Sequence, residues 1–222
     1  MRKRTNLIIP MILSVSLCFS PALPVFSEEN STEEAQDETT DSEETSYAKG
    51  TLTENDYQSE WLNLKFTPPS TVVMNTAEEL QAVMQTGQDT IEESADITFS
   101  EESMSGSSYE MMASSISGFP NVSLVVEDAL LSNMTVDQYF MASQKMLDAT
   151  ELGYTYKEIT DATIAEQDFR VMETSVFINE YEVIQKYFTQ KKDGKFVSII
   201  LSYTADTAKE ADEILDAFTP LN

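Results

Sequence analysis

Asp193-Gly194 sits between two runs rich in β-branched and aromatic residues, 183–190 and 196–204. Asp-Gly favours a two-residue type I′ turn, because both central residues must take positive φ. A turn of those two residues alone places Lys192 opposite Lys195, Phe188 opposite Ile199 and Ile184 opposite Tyr203. Val197, Ile199, Leu201 and Tyr203 then share one face at period two, the half-buried strand pattern. Phe196, Ser198, Ile200 and Ser202 make the other face mixed. An earlier run, 169–178, is expected to pair with this hairpin through a turn near Asn179-Glu180. Ala211, Ile214, Leu215 and Phe218 follow at helical spacing, with Thr207-Ala208-Lys209-Glu210 as a capping box and Pro220 as a stop. The last quarter of the chain therefore predicts antiparallel strands with an amphipathic helix laid on their apolar face.

Upstream, 57–61 and 62–67 read as two short strands closed by Pro68-Pro69, and 71–74 as a third. Thr76-Ala77-Glu78-Glu79 is a second capping box, opening a helix with Leu80, Val83 and Met84 on its stripe, weaker past Gly87 towards Glu93. Residues 96–106 are polar and serine-rich, the pattern of a loop or ragged strand start. Strands are expected at 109–117 and 122–127, divided by the turn cluster Gly118-Phe119-Pro120-Asn121. Thr135-Val136-Asp137-Gln138 is a third capping box, with Met134 placed to staple onto Tyr139. Val136, Tyr139, Phe140, Ser143 and Leu147 give that helix its buried stripe, and 154–160 and 162–166 complete the strands. The predicted class is α+β, a central, mostly antiparallel sheet with helices on both faces.

The front end is of another kind. Arg2-Lys3-Arg4 precedes an apolar run from Leu7 to Phe19, and Val25-Phe26-Ser27 offers small residues for cleavage before Glu28. This is the pattern of a signal peptide over 1–27, too short for a membrane anchor. The rival reading is a lipoprotein lipidated at Cys18, although Leu17 stands where a lipobox wants a small residue. Residues 28–49 carry nine acidic side chains and one lysine, with no aliphatic residue larger than Ala35. Such a stretch cannot bury enough surface to offset the entropy of ordering, so it is expected to be a disordered acidic spacer. Residues 50–222 remain as a single α+β domain. The expected location is outside the cell, secreted or associated with the surface.

Charge and missing residue types exclude more than they assign. With 13 basic and 39 acidic side chains the net charge is −26, which disfavours nucleic acid and anionic lipid, whose phosphates need Lys and Arg. There is no histidine, so Ser-His and Cys-His nucleophile pairs and His-ligated metal sites are excluded. The single cysteine, Cys18, lies in the expected signal peptide, leaving no disulfide or thiolate site beyond it. No Gly-rich phosphate loop and no EF-hand loop occurs. No catalytic, cofactor-binding or metal residue is assigned, and no cofactor is expected.

The opening Tyr57-Gln58-Ser59-Glu60-Trp61-Leu62-Asn63-Leu64-Lys65-Phe66-Thr67-Pro68-Pro69 resembles the Y-x-S-x-W-L-G-L-x-F-x-x-P start of small exported Firmicutes proteins. The closing hairpin with its Lys191-Lys192-Asp193-Gly194-Lys195 turn, and the short helix after it, resemble the same proteins. That arrangement is similar to the PsbP/Mog-type α/β/α sandwich over about residues 51–220. The resemblance implies a binding or assembly role and carries no catalytic residue.

Three groups of side chains are candidate sites. Tyr57 and Trp61 could offer an exposed aromatic contact, but Trp61, the single Trp in an alternating apolar stretch, is read as core or core-edge. Met111, Met112, Met134, Met141 and Met146 lack a copper-type repeat and are read as core filling. Glu127, Asp128, Asp137, Asp148 and Glu151 are acidic groups near a sheet-to-helix junction, and two of them converging would permit glycoside chemistry. The expected function is a non-catalytic exported module with a protein partner at the cell envelope. The alternatives are a carboxylate-only hydrolase acting on glycans and a structural subunit of an envelope complex.

Overall fold

The computed structural model describes residues 47–95, 106–129, 131–178 and 180–221. The expected signal peptide, Cys18, the acidic spacer up to residue 46 and the 96–105 loop lie outside the described residues. Three short strands open the fold: β1 (Thr51–Leu52), β2 (Tyr57–Ser59) and β3 (Leu64–Phe66). β4 (Val73–Met74), helix α1 (Ala77–Ala95), β5 (Ser107–Ser114), β6 (Asn121–Asp128) and helix α2 (Val136–Ala149) follow. β7 (Thr155–Tyr156), β8 (Thr160–Ile164), β9 (Gln167–Ile178), β10 (Tyr181–Lys192) and β11 (Lys195–Thr204) come next, then helix α3 (Ala208–Asp216) and β12 (Phe218–Pro220).

The strands make two antiparallel sheets. The larger runs β4-β5-β6-β11-β10-β9-β7, with β8 also paired to β9, and the smaller runs β1-β2-β3-β12. Asp193 and Gly194 take φ of 48° and 74°, and the expected register follows: Lys192 faces Lys195, Phe188 faces Ile199 and Ile184 faces Tyr203. The long strands exist because period-two apolar residues are buried on both faces of the large sheet. Met111, Val122, Leu124, Val197, Ile199, Leu201 and Phe188 point to one side, where Trp61, Leu62, Leu64 and Phe66 of the small sheet and Ala211, Ile214 and Phe218 meet them. Met112, Val125, Phe196, Ile200, Tyr187 and Met172 point to the other, under Leu80 of α1 and Tyr139, Phe140, Met146 and Leu147 of α2. Each large side chain so buried contributes about 1.5–3 kcal/mol.

The α+β class and the antiparallel sheet stand, but the expectation of helices on both faces needs correction. Two helices cover one face, whereas the other is covered mainly by a second sheet, with the short α3 beside it. The end of the chain differs too. α3 stops at Asp216, and Phe218 enters β12 opposite Phe66 instead of extending the helix. Thr207 does not cap α3 with its side chain; its Oγ1 accepts from the Thr204 N–H at 3.0 Å. The other two capping boxes form as expected, at Thr76/Glu79 and Thr135/Gln138. The expected strand 154–160 shrinks to the two residues of β7. No helix among the described residues is long and apolar enough to cross a membrane.

Candidate functional site

The β8–β9 hairpin turns on Ala165 and Glu166, which hold φ of 50° and 63° without a glycine or asparagine. A two-residue turn sets the register, and Asp161 falls opposite Arg170 while Thr189 of β10 flanks Arg170 on its other side. The Arg170 guanidinium is held from two directions. Nε and Nη2 donate to the two carboxylate oxygens of Asp137, in the first turn of α2, at 3.1 and 3.2 Å. Nη1 donates to Asp161 Oδ1 at 2.7 Å. Together these hold the guanidinium pKa above its ordinary value, Asp137 first and Asp161 second.

Beside this arginine lies an open groove of about 640 Å³, lined by Val136, Asp161, Ala162, Thr163, Asp168, Phe169, Arg170, Thr189, Gln190 and Lys191. Its polar side chains are fixed in place. Thr189 is fully buried and shares a hydrogen bond with Ser198 at 2.9 Å. Lys191 Nζ donates to the carbonyls of Ser132 and Met134 at 2.6 and 2.8 Å, tying the loop before α2 to β10. Thr163 Oγ1 donates to Asp168 Oδ1 at 3.0 Å. Gln190 Nε2 donates to Gln167 Oε1 and Gln167 Nε2 to the Leu62 carbonyl, each at 2.8 Å, so the small sheet braces the hairpin. Three carboxylates, Asp137, Asp161 and Asp168, stand here against two cations, Arg170 and Lys191. Held donors, acceptors and a net negative balance suit recognition by hydrogen bonds and charge.

Four of the five acidic residues singled out in the sequence each find a separate partner. Glu127 is buried and accepts from Tyr139 Oη of α2 and from Ser107 Oγ. Burial pushes its carboxyl up to about 7, against the opposing pull of the Tyr139 hydrogen bond. Asp128 pairs with Lys195, Asp137 with Arg170, and Asp148 accepts from Tyr156 Oη at 2.8 Å. Glu151 sits just past α2 with a φ of 57°. No group of three or more acidic side chains among the described residues is placed to hold a metal ion. Met111, Met112 and Met146 fill the two cores, but Met141 is exposed, a correction to its reading as core. Tyr57 is fully buried, and Trp61 lies at the core edge with its Nε1 bonded to Asp193.

Sequence reasoning missed Glu110. The β5–β6 register shifts between Tyr109 and Met111, so Glu110 is the extra residue of a bulge, and it points toward Tyr57 on the small-sheet side. Its buried carboxylate accepts from Tyr47 Oη, from Tyr57 Oη at 2.9 Å, from the Gly50 N–H at 2.8 Å and from Ser108 Oγ at 2.9 Å. Burial and Glu110 together raise the phenols: Tyr47 to about 12, and Tyr57 strongly upward. The available signal was an acid inside the apolar run Tyr109-Glu110-Met111-Met112. Its role is to fasten residues 47–50 to the domain, away from the groove.

No family model matches the chain, and no curated protein matches it. Among solved structures it is similar to a cyanobacterial PsbP (CyanoP) from Synechocystis sp. PCC 6803, at 12% identity and a TM-score of 0.44, over 77% of this chain and 94% of that one. It is also similar to LpqN, described as involved in cell envelope biogenesis of Mycobacterium tuberculosis, at 11% identity and a TM-score of 0.35, over 70% and 82% of the two chains. Likenesses of this degree carry no argument about function, and the fold stands on its own ladders and registers.

Proposed function

We infer that the protein is a non-catalytic binding or assembly module, exported and held at a distance by its acidic spacer, with a protein partner at the cell envelope. The observation that supports this most is the groove beside Arg170. It is open, it draws on β8, β9, β10 and α2, and its charged and polar side chains are held by ion pairs and by hydrogen bonds to side chains and backbone around it. A surface organised before binding spends little entropy when a partner arrives. The glycan-hydrolase alternative asks for two carboxylates facing one substrate, whereas Glu127, Asp128, Asp137 and Asp148 are each tied to a different partner. A structural subunit would differ from a binding module by co-purifying obligatorily with its complex.

Cross-linking of the tagged full-length chain in the producing cell, followed by mass spectrometry, tests the reading. One stoichiometric partner, weakened by Arg170→Met, is the expected result. Hydrolysis of a glycan that disappears with Glu127→Gln, or no partner at all, would overturn it.

A further inference from the structure

We propose that the outer edge of β8 is a strand-addition site for an extended, basic segment of the partner protein. This names the recognition chemistry of the module described above and rests on that reading. Edge strands are usually kept very short, bulged, or guarded by Lys or Pro, because their free N–H and C=O groups invite another strand. The edge strands β1, β4 and β7 have two residues each. β8 has five, Thr-Asp-Ala-Thr-Ile, with neither Lys nor Pro, and its register against β9 runs without a bulge from Thr160↔Val171 to Ile164↔Gln167.

The turn geometry says which groups are free. Ile164 and Gln167 flank a two-residue turn, so they form a hydrogen-bonded pair, and such pairs alternate along the ladder. Ala162 and Thr160 therefore bond inward to β9, while Asp161 and Thr163 turn their N–H and C=O outward. Both outward residues are exposed. A strand laid here gains main-chain hydrogen bonds from Asp161 and Thr163, and every second side chain falls on the groove's side of the sheet, next to its rim at Asp161 and Thr163. Charge selects its character. Asp168 is exposed with no cation beside it among the described residues, and the Asp161 side chain, though paired with Arg170, is 74% exposed, so the carboxylates in excess over Arg170 and Lys191 favour a lysine or arginine on the incoming strand. A second copy of a chain of net charge −26 would bring like charge to the same edge.

Thr163→Pro tests the site cleanly, because proline at an outward-facing edge position removes no ladder hydrogen bond. The probes are two synthetic peptides of equal length, one alternating Lys and Val, the other alternating Glu and Val, added to the full-length chain. The expected result is binding of the Lys peptide alone, with amide hydrogen exchange slowed about tenfold or more at Asp161 and Thr163. Thr163→Pro should abolish that binding with the thermal midpoint lowered only slightly, by the lost bond from the Thr163 hydroxyl to Asp168, and Asp168→Lys, which leaves the backbone edge intact, should weaken it. Equal binding by Thr163→Pro, protection at other amides, or no binding would overturn the proposal. A homodimer that Thr163→Pro dissociates would overturn it in favour of a second copy. If parent and Thr163→Pro capture the same partner in cells, the module reading survives and the edge does not. If neither captures one, the module reading itself fails.

Discussion

Trp61 Nε1 donates to Asp193 Oδ2 across 2.9 Å, joining the small sheet to the tip of the β10–β11 hairpin over 132 positions of sequence. The Trp61 ring also receives Tyr47 edge-on, centroids 5.1 Å apart, and Lys192 Nζ 5.8 Å from its centroid. Trp61→Phe removes the donor and part of the packed ring, and is expected to lower unfolding free energy by about 1–3 kcal/mol in denaturant titration followed by circular dichroism. Asp193→Asn should be milder, since an amide oxygen still accepts and Asn tolerates positive φ. Equal losses from the two variants would contradict this account.

Glu127 makes stability depend on pH in an identifiable direction. Burial raises its carboxyl to about 7 from an ordinary value near 4.5, so between those values the folded state holds a proton that the unfolded state has lost. Stability from this group is therefore full below about pH 4.5, declines as pH rises, and has lost about 3 kcal/mol above pH 7. Glu127→Gln keeps an acceptor for Tyr139 and removes the titration. Its stability advantage over the parent should grow from pH 5 to pH 8, and a constant difference across that range would refute the assignment.

Gly50 leaves no room for a side chain. A Cβ there would lie 2.4 Å from the Tyr57 hydroxyl oxygen, and Tyr57 is fully buried. Gly50→Ala is expected to lift residues 47–50 off Glu110, exposing the bond after Lys49 to trypsin. Glu110→Ala should act similarly and cost about 2–4 kcal/mol, because it strands the buried Tyr57 hydroxyl and the donors around it. Unchanged tryptic resistance at Lys49 in both variants would show that residues 47–50 are held by other contacts.

Arg170→Met separates recognition from stability. The Arg170 side chain is 36% exposed and its partners Asp137 and Asp161 are 55% and 74% exposed, so the lost ion pairs are screened by solvent and should cost little stability. Partner capture should fall while the thermal midpoint barely moves. A large fall in the midpoint would make Arg170 a structural residue instead.

The parts of the fold that local chemistry dictates were legible from sequence. Asp193-Gly194 can hardly turn otherwise, and the alternation of Val197, Ile199, Leu201 and Tyr203 then sets the register. Thr76 and Thr135 cap their helices because Glu79 and Gln138 stand three residues on. The rest depends on partners distant in sequence. Phe218 keeps helical spacing, yet β3 offers Phe66 as a neighbour and pairing with β3 prevails. Ala165-Glu166 carries no turn signature, so 162–166 reads as strand through the turn itself, and the register that places Arg170 opposite Asp161 was missed, and with it the groove. Glu110 reads as a surface acid until the bulge turns it inward to meet Tyr57.

β3 lies between β2, a few residues before it, and β12, near the other end of the sequence. Leu64 faces Pro220 and Phe66 faces Phe218, their rings 4.5 Å apart. The β10–β11 hairpin can close locally as soon as its own residues exist, but the small sheet must wait for 218–220, a contact of high sequence separation. Until then β3 offers a bare edge and the apolar floor beneath it stays wet. A chain shortened to Asp216 is expected to leave that edge bare and Phe66 without its ring partner, a defect that protease sensitivity would reveal.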